Sequence, residues 1–268
     1  RKIPARSGAR PELYVHDLFT NGIIYLDLGF NLHSLPPDLL PYVPLFGRAL
    51  TETGAGAQDF VQLVQRIGRN TGGIHSQLFL SSAPERKQAE AWLFLRGKAM
   101  AAQTGELLAI LGDVLRAARL DDRERFRQML LEEKASLESG LVRAGHRVVN
   151  TRIKSRIDEA GWAGDQTGGV GQLFFLRELA QRVDQDWPSV QAALETIRER
   201  LLTLGGLICN VTLDGENYAR VETGLVDFLN GLPAGALERA DWPVPGGSAA
   251  EALTIPSQVN FSMAIMTP

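Results

Sequence analysis

Cysteine is nearly missing: Cys209 stands alone in 268 residues. A disulfide within the chain is excluded, and a reducing compartment is the default. No apolar run is long enough to span a bilayer. No signal-peptide pattern is present. Charge of one sign is also lacking, since the formal net charge is −3. That removes the electrostatic case for a nucleic-acid or anionic-membrane partner. Histidine is sparse: His16, His33, His75 and His146 are all there are. None stands in H-E-x-x-H or H-x-x-E-H, the spacings that put two imidazoles and a glutamate on one helix face for zinc hydrolysis. The chain opens on Arg1-Lys2 without Met, which leads us to expect a piece of a longer polypeptide.

What is present is ordinary globular material. Hydrophobic residues make up 44% and charged residues 22%, ordinary for a globular protein, and the length suits one large domain, or one and a half, with a sizeable core. Leu13 and Val15 suggest a short strand before the Thr20-Asn21-Gly22 turn. Ile24, Leu26, Leu28, Phe30 and Leu32 then alternate with Tyr25, Asp27, Gly29 and Asn31. Period two predicts a half-buried strand. Pro36-Pro37 predicts a helix start, and Leu39, Leu40, Val43, Phe46 and Leu50 give that helix one apolar stripe. Pro41 and Pro44 predict an irregular first turn. A second helix spans Phe60 to Ile67, and the strands Ile74–Leu80 and Glu90–Arg96 read as a hairpin.

Leu107 to Leu115 predicts a helix over that hairpin. A long charged helix, capped by Asp121, runs toward residue 158, with Gly140 and Gly145 as kink sites. Leu173, Leu176 and Leu179 carry a further helix, and Trp187 to Leu201 another. Leu207, Cys209, Val211 and Leu213 form a fifth strand, and Asp214 caps a last helix. Residues 233–254 have no period and read as a linker. Residues 255–268 alternate again, as the first strand of a next repeat. The predicted fold is α+β, a two-layer, mainly antiparallel sheet with helices on one face. The unit covers residues 1–232. Its other sheet face, bearing Tyr25, Asp27, Asn31, Asn210 and Thr212, then has to meet water or a partner.

Each candidate for chemistry has a plainer reading. Lone histidines are rarely ligands, so all four read as structural or surface residues. Cys209 sits among apolar residues of a strand with no identifiable base, so it reads as a small buried hydrophobe. Thr167-Gly168-Gly169-Val170-Gly171 lacks the preceding strand and following Lys-Ser/Thr of a phosphate loop, and reads as a turn between helices. Asp184-Gln185-Asp186 fits a helix N-terminus better than a metal site. Glu132-Glu133 reads as a solvated helix face. No catalytic and no metal-binding residue is assigned.

Several words of the sequence occur in a fixed order. They are T-N-G-I-I-Y-L-D-L-G-F-N-L from Thr20, Ile67-Gly68-Arg69-Asn70-Thr71-Gly72-Gly73-Ile74 and Leu95-Arg96-Gly97-Lys98-Ala99-Met100. Further on come Gly145-His146, Ala160-Gly161-Trp162, Val183-Asp184-Gln185-Asp186-Trp187 and Ile255-Pro256-Ser257-Gln258-Val259-Asn260. Together they resemble the presequence protease branch of the pitrilysin/insulinase-type zinc metallopeptidases. The resemblance covers most of the chain and implies the LuxS/mitochondrial-processing-peptidase-like metallohydrolase fold. It corresponds to the third of four repeats, a peptidase-associated region without the zinc motif.

That resemblance implies a chamber wall in a zinc metalloendopeptidase that degrades unstructured oligopeptides such as cleaved targeting peptides. Its partners would be the remaining repeats and the peptide. Zinc would belong to the parent protein and no cofactor to this part, which is expected to be inactive alone. A different class of function is a stand-alone assembly or peptide-binding subunit on the same fold. The Ala- and Arg-rich composition leans bacterial, hence cytoplasmic; a eukaryotic source would imply mitochondrial matrix or plastid stroma.

Overall fold

The computed structural model describes residues 11–82, 88–243 and 251–252. Among the described residues, five strands form one sheet: β1 (Glu12–Asp17), β2 (Ile23–Asn31), β3 (Ile74–Ser81), β4 (Glu90–Met100) and β5 (Leu207–Leu213). Their spatial order is β1-β5-β2-β4-β3. Only the β1–β5 pair is parallel; β2–β5, β2–β4 and β3–β4 are antiparallel. Helices among the described residues are α1 (Val43–Glu52), α2 (Phe60–Asn70), α3 (Thr104–Ala117), α4 (Arg123–Arg143), α5 (Gly145–Lys154), α6 (Glu159–Gly168), α7 (Val170–Gln185), α8 (Trp187–Leu201) and α9 (Gly215–Asn230). This is a two-layer α+β fold with a mainly antiparallel sheet.

The alternation in sequence fixes the buried face. Ile24, Leu26, Leu28 and Phe30 of β2 are buried, as are Leu93 and Leu95 of β4 and Leu207, Cys209, Val211 and Leu213 of β5. They meet Leu45, Phe46, Leu107, Leu111 and other helix residues in one core. Glycine permits the closest helix–sheet approach: a Cβ on Gly97 would lie 2.8 Å from Leu107 Cδ1. Burial of this stripe is the main stabilising term, at roughly 25 cal/mol per Å² removed from water.

Local signals were overruled in three places. Asn21 (φ 54°) and Gly22 (φ 73°) form the expected tight turn, closed by Ile23 N–H donating to Thr20 O at 3.2 Å. Yet β1 and β2 are not neighbours, because β5 lies between them. Four of the seven β5 side chains are buried, whereas β1 buries Leu13 alone, so β5 gains more from a central place. Pro36-Pro37 does not start α1. Tight turns and a 3₁₀ segment at Leu40–Tyr42 precede it, and α1 begins at Val43. Pro41 and Pro44 have no N–H to continue an α ladder. The long charged helix breaks at Ala144 (φ −131°, ψ 40°) into α4 and α5, and its cap is Asp122, which accepts from Arg125 N, rather than Asp121.

Beyond α9, residues 233–243 have no helix or strand, but they are not loose. Leu204 N–H donates to Pro233 O at 3.0 Å, and Ala240 N–H to His33 O at 2.7 Å. Trp242 is buried, stacks on His33 at 4.2 Å and donates from Nε1 to Leu35 O at 2.9 Å. Glu251 then pairs with Arg152 and Arg156 of the α5 region at 2.9 Å each. The stretch read as a linker is thus, in its described part, a strap tied to the domain. The strand expected at 255–268 lies outside the described residues.

Candidate peptide-facing sheet surface

The sheet face turned away from the core is set by register. Aligned pairs place Lys98, Tyr25, Thr212 and His16 in one row across the strands. The next row is His75, Arg96, Asp27, Asn210 and Tyr14. After it comes Gln77, Phe94, Gly29, Ile208 and Glu12, and then Phe79, Trp92 and Asn31. Successive rows on one face are about 6.8 Å apart. The surface therefore grades from polar at one end to aromatic and aliphatic at the other.

Tyr25 is 43% exposed, and Asp27, Asn210 and Thr212 are partly exposed on this face. Asn31 is a correction. It is only 5% exposed, because the chain turns back at the end of β2. Its Oδ1 accepts His33 N–H at 3.0 Å and caps the short 3₁₀ segment Leu32–Ser34. It cannot face a ligand.

At the apolar end, Phe94 lies across β2. A Cβ on Gly29 would sit 2.6 Å from Phe94 Cε1 and 2.8 Å from Ile208 Cγ1, so glycine there lets the aromatic ring lie against the strand. Phe79 is 48% exposed and meets Phe94 edge-on, with centroids 6.5 Å apart. Trp92 flanks Phe94 and donates from Nε1 to Glu90 at 3.1 Å. Sequence reasoning missed these residues. Trp92-Leu93-Phe94-Leu95 is apolar at every position, so alternation did not choose a face; pairing with β2 did.

Charge at the polar end is unevenly matched. Arg96 lies over the Phe94 ring at 5.4 Å, and its Nε is 3.6 Å from Asp27 Oδ1. That is an ion pair but too long for a hydrogen bond, and the buried Arg96 Nε has no hydrogen-bond acceptor. Lys98, beside it on the strand, has no carboxylate partner among the described residues.

The other candidates resolve structurally. Cys209 is fully buried, and burial, followed by the nearby Asp27 charge, pushes its thiol well above the usual range. A thiol so held is a poor nucleophile. The glycine turn after α6 is occupied by the protein itself: Asp165 accepts from Val170 N at 3.1 Å and Gly171 N at 3.3 Å. Asp186 caps α8 through Ser189 N, and Asp184 pairs with Arg127 at 2.8 Å. Glu132 and Glu133 both pair with Arg48, so that face of α4 is tied to α1. His33 is buried with Nδ1 3.3 Å from Asn31 Oδ1 and Nε2 3.3 Å from Glu159 Oε2. His16 and His75 stand on separate strands, and His146 on α5. No group of three or more His, Cys, Asp or Glu among the described residues could hold a metal. The donor set does not fit zinc.

A family model for the associated region of peptidase family M16, subfamily C, matches residues 4–179, well over half of the chain. The chain belongs to this peptidase-associated family. Presequence protease 1, chloroplastic/mitochondrial, of Arabidopsis thaliana is 39% identical over 249 residues, covering 92% of this chain and 23% of that protein. The mitochondrial presequence protease of Danio rerio is 25% identical over 237 residues, covering 88% and 23%. Protein HypA of Clostridium perfringens is 23% identical over 247 residues, covering 92% and 25%. The peptidase-associated chain thus spans about a quarter of the length of these relatives.

Among solved structures, a conserved protein from Enterococcus faecalis V583 superposes with TM-score 0.62 at 16% identity, covering 91% of this chain and 54% of that one. A peptidase M16 inactive domain from Pseudomonas fluorescens gives 0.58 at 15% identity, covering 90% and 53%. These establish the M16 inactive-domain fold. No helix among the described residues is long and apolar enough to cross a membrane.

Proposed function

We propose that this chain is a non-catalytic wall of a peptide-degrading chamber, part of a zinc metalloendopeptidase that acts on unstructured oligopeptides such as cleaved targeting peptides. The observation that carries the reading is the open sheet face. One face is sealed by helices, and the other presents Tyr25, Asp27, Asn210 and Thr212 next to partly exposed Phe94 and Trp92. A face of this mixed character needs a partner, and relatives about four times as long supply further chain to enclose it.

The chemistry assigned to this domain is binding and exclusion. A closed chamber admits flexible chains and rejects folded ones by size. Its wall offers side-chain hydrogen bonds and apolar area, and no acid–base step runs through this chain's residues. Hydrolysis and zinc belong to other parts of the parent protein. The compartment is the bacterial cytoplasm, or the mitochondrial matrix or plastid stroma in a eukaryote.

Photo-crosslinking in the full-length parent tests this. A benzophenone amino acid at Tyr25 or Thr212 should label a bound peptide substrate, and one at Val61, exposed on α2, should not. Equal labelling at all three positions, or none at Tyr25 and Thr212, rejects the wall assignment.

A further inference from the structure

The strap that follows α9 rests on a histidine ring. Trp242 lies nearly parallel to His33, with centroids 4.2 Å apart and planes at 16°, and Trp162 tilts against Trp242 at 5.8 Å. His33 and Trp242 are both buried. Ala240 N–H donates to His33 O, and Trp242 Nε1 donates to Leu35 O. Upstream, the strap passes so close to the turn before β5 that a Cβ on Gly205 would collide with Gly235 O.

The groups around the ring decide its protons. A neutral imidazole has one N–H and one bare nitrogen, whereas an imidazolium has two N–H groups. Nδ1 lies 3.3 Å from Asn31 Oδ1, and Nε2 lies 3.3 Å from Glu159 Oε2. Both partners are acceptors. Asn31 Oδ1 already accepts His33 N–H at 3.0 Å, which sets the orientation of that amide. Glu159 Oε2 already accepts Ala89 N–H, and Glu159 stands in the first turn of α6, where the helix dipole favours an ionised carboxylate. A neutral ring would turn a bare nitrogen toward one of these oxygens in a buried site, where an unmade hydrogen bond is costly. An imidazolium satisfies both oxygens, pairs with the carboxylate and presents a cation to the face of Trp242.

Among the described residues, Glu159 is the charged side chain paired with the ring. β4 and α8 also pack against this turn, and the strap carries Glu238, Arg239 and Asp241, but none of these supplies an ion pair to His33. We infer that His33 is held as an imidazolium between Asn31 and Glu159, and that this buried charge is a proton-dependent latch for Trp242 and the strap. The hold is complete while the ring keeps its second proton, and it weakens as rising pH removes that proton. Glu251, paired with Arg152 and Arg156 at the far end of the strap, takes no part. The latch stands independently of the peptide-facing surface.

The test uses the intact 268-residue chain with His16, His75 and His146, all exposed, changed to Gln, so that His33 is the one imidazole. Nitrogen NMR on isotope-labelled histidine then reads each ring nitrogen, and at neutral pH both should carry a hydrogen. Trypsin cleavage after Arg239, exposed on the strap, should be slow under those conditions. It should speed up by about tenfold as the pH is raised, the size that a desolvated cation–π contact supports. Its midpoint should match the loss of the ring proton, with cutting normalised at each pH to an unstructured peptide bearing the same site. Glu159→Gln, whose amide can donate to a bare Nε2, should give the neutral ring and fast cutting throughout. Trp242→Ala should keep both ring hydrogens and abolish the pH dependence of cutting.

A bare nitrogen on His33 at neutral pH overturns the imidazolium, whatever the variants do. Cutting after Arg239 that does not follow the titration of the ring overturns the latch. So does a Trp242→Ala protein whose cutting keeps the original pH dependence.

Discussion

The two faces of one sheet can be compared residue by residue, because each β strand contributes to both. Leu28 and Gly29 are neighbours in sequence. Leu28 is sealed beneath helices, and Gly29, on the opposite face, lies against the Phe94 and Ile208 side chains of its neighbouring strands. The helix-covered face holds aliphatic side chains in close packing, so its value is stability. The open face holds aromatic rings, the Arg96–Asp27 ion pair and Lys98, which has no carboxylate partner among the described residues, so under the proposed reading its value is recognition. The lesson is that burial, rather than polarity, separates the faces: both carry large apolar residues, but only one set is enclosed.

Substitutions should break this comparison unequally. Leu28→Ala empties a fully buried site and should cost about 2–5 kcal/mol in urea unfolding. Cys209, paired with Leu28 in register, offers an independent probe. Its alkylation in the native protein should be slow and should accelerate in Leu28→Ala as unfolding becomes more frequent; fast alkylation of the stable wild type would contradict the sealed face. Gly29→Ala should cost about 1–3 kcal/mol, since the new methyl forces Phe94 and Ile208 aside. It should also flatten any preference for aromatic peptides. On the open face, Tyr25→Ser and Thr212→Ala should each shift stability by less than about 0.5 kcal/mol while lowering peptide crosslinking. A large stability loss there would show that the face is packed.

A further small effect concerns the strap. Hydrogen bonding to Arg152 holds the Glu251 carboxyl below its ordinary range. A depressed carboxyl contributes stability above its unfolded pKa and loses it as pH falls through the folded one. The strap end should therefore loosen only in acid, below the usual carboxylate range, and by less than about 1 kcal/mol for so accessible a pair. Glu251→Gln should remove this acid dependence, seen as a change in proteolysis of the strap. Persistence of the same acid step in Glu251→Gln would assign it to another group.

Much of the fold was legible in the sequence. The strict alternation of β2 and β5 predicted which side chains face the core, because a half-buried strand needs one apolar side. The capping residues Asp186 and Asp214 marked the starts of α8 and α9, since a short side-chain oxygen satisfies an otherwise free N–H. The candidate surface was legible in part. Tyr25, Asp27, Asn210 and Thr212 were found from their polarity opposite an apolar face. Asn31 followed the same rule, but a turn that local polarity does not announce buried it. The apolar end was hidden because Trp92, Leu93, Phe94 and Leu95 give no alternation to read.

The sequence by itself determined the strands, most of the helices, the sealed face and the family, through short-range periodicity and words of fixed order. Tertiary structure alone decided that β5 enters between β1 and β2, that Trp242 ties the strap to His33, and that aromatic and cationic rows line up across strands. Those facts depend on pairing between residues far apart in the chain. Such pairing is selected by the total area buried in the whole sheet, a quantity that no local window of sequence contains.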